Sequence, residues 1–319
     1  MSNEILYRTL CEINGAKGVL RDEPMKKHTT FRIGGPARFF CLPGSAPQLA
    51  ETIAACREAG IPWYILGNGS NVLVSDAGYE GVVIQLFHNL ESVRIEGCLM
   101  ELEAGVLLAR AAHLAAKEGL TGLEFASGIP GTLGGALVMN AGAYGGEMKD
   151  VVKEAVVMDR EGKLLRLRRE ELELGYRTSV IARKGYVVLS ALLELKEGEQ
   201  AAIEARMKEL RTARTEKQPL EYASAGSTFK RPEGHFAGKL IMDAGLRGYR
   251  VGGAQVSEKH CGFVINTGEA TAEDVLGLIA HIQAEVRRQF GVELEMEVKT
   301  LGFPDAAFQE KKETEQTQR

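Results

Sequence analysis

Two stretches of small residues carry the clearest chemical signal in this chain. The first is Leu66-Gly67-Asn68-Gly69-Ser70-Asn71-Val72-Leu73-Val74. Successive backbone N–H groups in such a loop can converge on an anion, so a phosphate is the ligand it would hold. A dinucleotide-binding Rossmann turn is a poor match: it needs a third glycine opening a helix, and here Val72 stands at that place before a β-rich run. An ordinary β-turn is the plainer alternative for this loop taken alone. The second stretch runs Ser127-Gly128-Ile129-Pro130-Gly131-Thr132-Leu133-Gly134-Gly135-Ala136, then Met139-Asn140-Ala141-Gly142-Ala143-Tyr144-Gly145-Gly146. With so little bulk at Cβ, backbone can approach a ligand closely. No Lys-Ser/Thr pair follows the glycines, which argues against nucleotide hydrolysis with a P-loop lysine. Tight packing of a short helix on a sheet accounts poorly for so many glycines interleaved with Ser, Thr and Asn.

Elements on either side must hold these loops. A helix is expected from Ser45 to Ile61, with Ser45 as N-cap, Pro47 in the first turn, Leu49, Thr52, Ile53 and Cys56 on one face, and Gly60 past its end. Runs rich in Val, Ile and Tyr at 62–66, 71–74 and 81–86 read as strands, so the first loop lies between two of them. A second unit has strands at 92–95 and 98–103, a helix ending at Gly119, a hairpin across Arg160 to Lys163 and a closing strand at 186–195. Helix formers dominate from Glu199 to Lys217, with Ile203, Met207 and Leu210 on one face. A third unit holds 222–229, a glycine-rich middle, and a long helix from the cap Thr271, with Asp274 in capping-box position, to Gly291. In the strand expected after it, Val292, Leu294, Met296 and Val298 alternate with Glu293, Glu295, Glu297 and Lys299, which predicts one charged face. The domains expected are 1–87 and 88–210 as two parts of one ligand-binding domain, 211–302 as a smaller domain, and 303–319 as a disordered polar tail.

Composition narrows the class. A chain of 319 residues, 45% hydrophobic and 26% charged, exceeds the length at which one core usually keeps growing. Its net charge of −4 lacks the basic excess that phosphate-backbone binding needs, so nucleic acid is not an expected partner. Five scattered cysteines with no C-x-x-C pairing suggest neither a disulfide framework nor a zinc site, and the six histidines show no ligand spacing, so no metal is expected. There is no apolar segment of signal-peptide or membrane-span character, and the expected compartment is the cytoplasm, without a membrane partner.

The pair of glycine loops, with about fifty residues between them, resembles the two pyrophosphate-binding segments of the vanillyl-alcohol-oxidase/PCMH type of FAD-binding domain. Further stretches narrow the match: His28-Thr29-Thr30-Phe31-Arg32-Ile33-Gly34-Gly35, Gly175-Tyr176-Arg177-Thr178-Ser179, Ala225-Gly226-Ser227-Thr228-Phe229-Lys230-Arg231-Pro232, Gly252-Gly253-Ala254-Gln255-Val256-Ser257 and Leu294-Glu295-Met296-Glu297-Val298. In order and spacing they are similar to the hallmarks of the UDP-N-acetylenolpyruvoylglucosamine reductase family, over roughly Val19 to Leu301. The chain is closer to the shorter, type II members, since the segment after Tyr176-Arg177 goes straight to a strand. The resemblance implies an α+β fold, a two-part PCMH-type FAD-binding domain plus a smaller α+β substrate domain. It also implies an NADPH-dependent, FAD-mediated reduction of UDP-N-acetylglucosamine enolpyruvate to UDP-N-acetylmuramate in peptidoglycan synthesis.

Carried over position by position, the family's catalytic trio falls on Arg177, Ser227 and Glu297. Non-covalent FAD would be held by Gly67, Asn68, Gly69, Ser70, Asn71, Ser127, Gly128, Gly131, Thr132, Gly134, Asn140 and Gly142. The UDP-sugar enolpyruvate would meet Tyr176, Lys230 and Lys259, with His260 as an alternative to Lys259; Arg231 stands where some members have Asn. The chemistry suits the residue types. A permanently charged guanidinium can bind a carboxylate and stabilise a developing enolate, a carboxyl group can serve as its partner, and a hydroxyl can give the final proton. Each residue alone is ordinary: an exposed Arg, a turn Ser, a Glu on a charged strand face. Two competing readings share the loops, another FAD oxidoreductase of the same fold and a non-enzymatic nucleotide-binding protein.

Overall fold

The structure, a computed structural model, describes residues 2–304; the tail expected from 303 onward falls almost wholly outside the described residues. Helix α1 (Asn3–Asn14) packs on α2 (Ala46–Ala59), where Asn14 Nδ2 donates to Thr52 Oγ1 at 2.9 Å. The α2 limits follow from local chemistry: the Ser45 hydroxyl accepts from the Gln48 N–H, and Gly60 closes the end at φ +65°, a conformation costly for any side chain. Both helices cover a four-stranded sheet ordered Val19–Pro24, Pro36–Cys41, Tyr79–Gln85, Trp63–Leu66. Its first pair is antiparallel and the others parallel.

A second, fully antiparallel sheet is ordered Leu164–Arg168, Val152–Met158, Val187–Glu194, Leu99–Glu103, Val93–Glu96. Helices α3 (Leu108–Lys117) and α4 (Leu133–Val138) belong to this unit, and the expected hairpin at Arg160 to Lys163 joins two of its strands. One continuous apolar core, with Phe39, Ile84, Met100, Leu102 and Leu137 among its members, runs through both units. The segment after Tyr176-Arg177, expected to go straight to a strand, first turns through the short helix α5 (Val180–Lys184), capped by the Ser179 hydroxyl. Helix α6 (Gln200–Lys217) buries Ile203 and Met207 in the same core, so the expected boundary at residue 210 cuts a continuous helix.

The third unit is built on a second core, which Phe31, Ile33 and Leu73 of the first unit also enter. A small antiparallel sheet, ordered Ala223–Ser224, Val264–Asn266, Ala254–Val256, Arg250–Val251, packs with α7 (Ala237–Asp243) and α8 (Ala272–Phe290). The Thr271 and Asp274 capping box forms as expected, and each such cap contributes about 1 kcal/mol. Of the strand expected over 292–299 only the end forms: Lys299–Leu301 is a strand, and it lies parallel to Val72–Val74 of the first unit. Leu294 and Val298 are buried as the alternation predicts, while Glu297, expected on the charged exposed face, is 8% exposed. The third unit is tied to the first elsewhere too. The Asp76 carboxylate accepts from the Ala272 and Glu273 N–H groups at the start of α8, at 2.8 and 3.2 Å. Thr30, in the His28 to Gly35 motif, donates through its N–H to the Gly69 carbonyl at 3.1 Å and through its hydroxyl to the Ser224 carbonyl at 2.7 Å.

Candidate active site

The two glycine stretches meet face to face. Asn68 Nδ2 donates to the Pro130 carbonyl at 2.8 Å. A Cβ on Gly67 would lie 2.5 Å from Thr132 Oγ1, and one on Gly69, at φ +61°, 2.0 Å from the His28 carbonyl oxygen, so chain-to-chain contact demands both glycines. Gly131 differs: the atom nearest an added Cβ would be 3.8 Å away, an ordinary van der Waals contact, so its bare face has room toward the space between the loops. That space is a cavity of about 210 Å³ between the loops, walled also by Tyr64, Leu86 and Tyr186. The backbone N–H groups of Asn68, Gly69 and Ser70 have no acceptor among the described residues. Unpaired donors beside apolar and aromatic walls fit a ligand with a diphosphate and flat rings, which is the chemistry of FAD.

Gly67 to Asn71, with Gly131, Thr132 and Gly134, line this cavity. The other positions expected to touch the cofactor lie elsewhere. Ser127 and Gly128 border a separate hollow beside α6, where a Cβ on Gly128 would come within 2.7 Å of Arg214 Nη1. Gly142 lines the neighbouring cleft. Asn140 borders none of these three: it is 0% exposed, and its carboxamide is engaged by Glu147, Lys149 and Gly175. The resemblance implied a cofactor contact there; the burial of its side chain has no sequence signal.

Beside the cradle opens a cleft of about 760 Å³, and Arg177, Ser227 and Glu297 all border it. Arg177 occupies the turn Gly175–Thr178 at φ +54°, and its Nε donates to Glu297 Oε1 at 2.7 Å. Burial pushes the Glu297 carboxyl above the ordinary glutamate range, and the Arg177 charge pulls it part of the way back. Backbone pairing brings Glu297 next to the serine segment: the Glu297 N–H donates to the Thr228 carbonyl at 2.8 Å and the Lys230 N–H to the Glu295 carbonyl at 2.9 Å. Thr228 is itself pinned, its N–H bonded to the Gly262 carbonyl at 2.9 Å and its hydroxyl accepting from Val264 at 2.9 Å. Ser227, between this anchor and Gly226 at φ +78°, is exposed on the cleft wall. Asn71 links the sites, its Nδ2 donating to the Glu297 carbonyl at 3.3 Å.

Tyr176 and Lys259, both expected to meet substrate, line the cleft, as does His260. Lys230 does not: its ammonium pairs with Glu295, because the bridge that brings Phe229 beside Met296 sets Lys230 next to that carboxylate. Sequence reasoning missed Phe236, Lys239 and Arg247, and left Arg231 open; all four border the cleft. Phe236, Lys239 and Arg247 fall between recognisable motifs, and no periodicity marks them. Phe236 is 62% exposed, with the Arg231 guanidinium 4.2 Å from its ring centroid. Arg177, Arg231, Lys239, Arg247 and Lys259 face two acids, Glu147 and Glu297, so the cleft favours an anionic ligand.

Comparison with known proteins agrees with this layout. Residues 37–168 match the FAD binding domain family, and residues 218–301 match the family described as UDP-N-acetylenolpyruvoylglucosamine reductase, C-terminal domain. A protein of Lachnoclostridium phytofermentans named UDP-N-acetylenolpyruvoylglucosamine reductase is 54% identical over 304 residues, covering 94% of this chain and 98% of the relative. One of the same name from Clostridioides difficile is 53% identical over 302 residues, with 95% and 99% covered. The crystal structure of the Thermus caldophilus UDP-N-acetylenolpyruvylglucosamine reductase superposes with a TM-score of 0.77 at 37% identity, covering 88% of this chain and 98% of that one. With an α+β fold, an FAD-binding domain and relatives that match nearly end to end, this chain belongs to the UDP-N-acetylenolpyruvoylglucosamine reductase family.

Proposed function

We propose that this chain reduces UDP-N-acetylglucosamine enolpyruvate to UDP-N-acetylmuramate for peptidoglycan synthesis, with NADPH as reductant and FAD as a non-covalent cofactor. The observation that carries the residue-level reading is the Arg177–Glu297 ion pair beside Ser227, in a cation-rich cleft that adjoins the glycine cradle. Gly67 to Asn71, with Gly131 and Thr132, would hold FAD by backbone donors. Bound FAD supplies what no side chain can, the acceptance of a hydride from nicotinamide and its delivery to carbon.

The chain's own residues do the rest. Reduction of the enolpyruvyl double bond adds one hydrogen as hydride and one as proton, and negative charge develops on the carbon that bears the carboxylate. The Arg177 guanidinium, charged at every working pH, binds that carboxylate and stabilises the charge. Glu297 fixes the guanidinium through its short hydrogen bond. The Ser227 hydroxyl gives its proton to the charged carbon, and the strong basicity of that carbon makes a weak acid sufficient. Lys259, Lys239, Arg247 and Tyr176 suit the diphosphate and base of the sugar nucleotide.

We assign the expected segments 1–87 and 88–210 to the FAD-binding domain, extended to the end of α6 at Lys217, and the remainder to 302 to the substrate domain; the burial of Ile203 and Met207 in the first core, and a second core drawn mainly from 225–298, support this division. None of the described helices is long and apolar enough to cross a membrane, and we place the reaction in the cytoplasm, where NADPH is available. Stopped-flow absorbance under anaerobic conditions tests the reading. NADPH should bleach the flavin of the FAD-loaded protein, and UDP-N-acetylglucosamine enolpyruvate should restore its colour in a single turnover. Flavin that stays bleached with this substrate, yet recolours rapidly in oxygen, would indicate an oxidase instead.

A further inference from the structure

Asn140 sits at the exit of α4 with every polar atom of its side chain engaged inside the protein. Oδ1 accepts from the Lys149 N–H at 2.9 Å, and Nδ2 donates both to Glu147 Oε2 at 2.8 Å and to the Gly175 carbonyl at 3.1 Å. Its own backbone is left-handed, φ +45°, which Asn tolerates better than most residues. The Gly175 bond matters most, because Gly175 opens the four-residue turn that carries Arg177. That turn has its positive φ at the third residue, a place glycine usually takes, and here Arg177 occupies it at φ +54°. The Gly175 carbonyl also accepts the turn's own closing bond, from the Thr178 N–H, which is long at 3.3 Å. A strained turn with a long closing bond persists only where its surroundings hold it. On the far flank Ser179 Oγ donates to the Val138 carbonyl at 2.7 Å, so the end of α4 grips the turn from both sides.

We propose that Asn140 is a positioning residue for Arg177: its buried carboxamide locks the Gly175–Thr178 turn in the left-handed form that aims the guanidinium across the cleft at Glu297. The inference rests on the reading of Arg177 as the group that binds the substrate carboxylate. It differs from a cofactor contact in what it leaves untouched, since a residue that acts only through Arg177 affects neither flavin binding nor flavin reduction.

Asn140→Gly keeps the left-handed backbone accessible and deletes only the carboxamide. The FAD-loaded variant should carry wild-type flavin per chain and be reduced by NADPH at the wild-type rate. Flavin reoxidation by UDP-N-acetylglucosamine enolpyruvate should slow ~10- to 100-fold, the scale set by small misplacement of a positioned group. Built into Arg177→Ala, the same change should cost nothing further, because two residues acting through one interaction are not additive. Loss of flavin, an equal further slowing in the Arg177→Ala background, or an undiminished substrate step would each overturn the proposal. If Asn140→Gly does not fold, Asn140→Asp keeps the acceptor for Lys149 and removes the donor to Gly175, and is read against the same outcomes. Failure of the underlying reading is distinct: Arg177→Ala would then reduce substrate at the wild-type rate.

Discussion

The cradle and the cleft lie side by side but are built from opposite materials. The cradle is backbone: glycines bring two loops together, and N–H groups of Asn68, Gly69 and Ser70 supply the donors. The cleft is side chain: a guanidinium, a carboxylate and a hydroxyl, the first two 120 residues apart in the sequence. A site made of backbone is sensitive to added atoms, whereas a site made of functional groups is sensitive to lost ones. Substitutions in the two should therefore fail in contrary ways.

The largest effect belongs to the cleft. Ser227→Ala removes one oxygen and should slow flavin reoxidation by substrate ~10²–10⁴-fold, while flavin reduction by NADPH, which needs no proton from a serine, stays near wild type in stopped-flow traces. Equal slowing of both steps would remove the distinction between the regions. Next in size is the cradle, where addition does the damage. Gly131→Val sets a branched side chain at the cavity wall, where its Cβ meets only ordinary van der Waals contacts, so it should give a folded protein with little flavin by absorbance ratio. Gly134→Val, whose Cβ would lie 3.2 Å from the Ala104 carbonyl oxygen, should instead lower the melting temperature of the flavin-free protein, by the ~1–3 kcal/mol of an overpacked contact. Full flavin in Gly131→Val would take that residue out of the cofactor site.

The smallest effect is electrostatic. Glu297 has its pKa raised in the fold by burial, so its ionisation weakens the folded state as pH rises through the native pKa, and below the unfolded value near 4.5 this contribution is fully favourable. Glu297→Gln lacks that titration. Its melting temperature relative to wild type should therefore climb as pH is taken from 4 toward 8 in thermal scans, whatever the offset from the unpaired Arg177. A relative melting temperature that fell over this range would mean the carboxyl titrates low, held by Arg177 more strongly than it is penalised by burial.

The difference in materials also explains what the sequence revealed. Helix limits were legible where local chemistry sets them, as at Ser45 and Gly60 or Thr271 and Gly291. The loop of Gly67 to Asn71 was legible because backbone approach demands small residues in a row. Glu297 was readable only through its motif, since strand alternation put it on a solvent face and its burial depends on Arg177, a distant residue. The intramolecular partners of Asn140 and Lys230 were not legible for one reason: a polar side chain near a site looks the same in sequence whether it faces a ligand or another part of the chain. Phe236, Lys239 and Arg247 reach the cleft through the path of α7 and the loop after it, which no local pattern encodes.

The parallel pairing of Val72–Val74 with Lys299–Leu301 has a consequence for synthesis on the ribosome. Asn71 and the Glu297 carbonyl it holds are 226 residues apart. At translation rates of ~5–20 residues per second, the first glycine loop emerges roughly 10–45 s before the strand that flanks it. For that interval the nascent chain has the loop but neither the neighbour of Val72–Val74 nor the two bonds at Asn71, its Nδ2 donating to the Glu297 carbonyl and its carbonyl accepting from the Lys299 N–H. The surroundings of the first glycine loop are thus completed only on arrival of the third unit, and the loop and the cleft share the residues that complete them, Glu297 bordering the cleft and Lys299 the cavity.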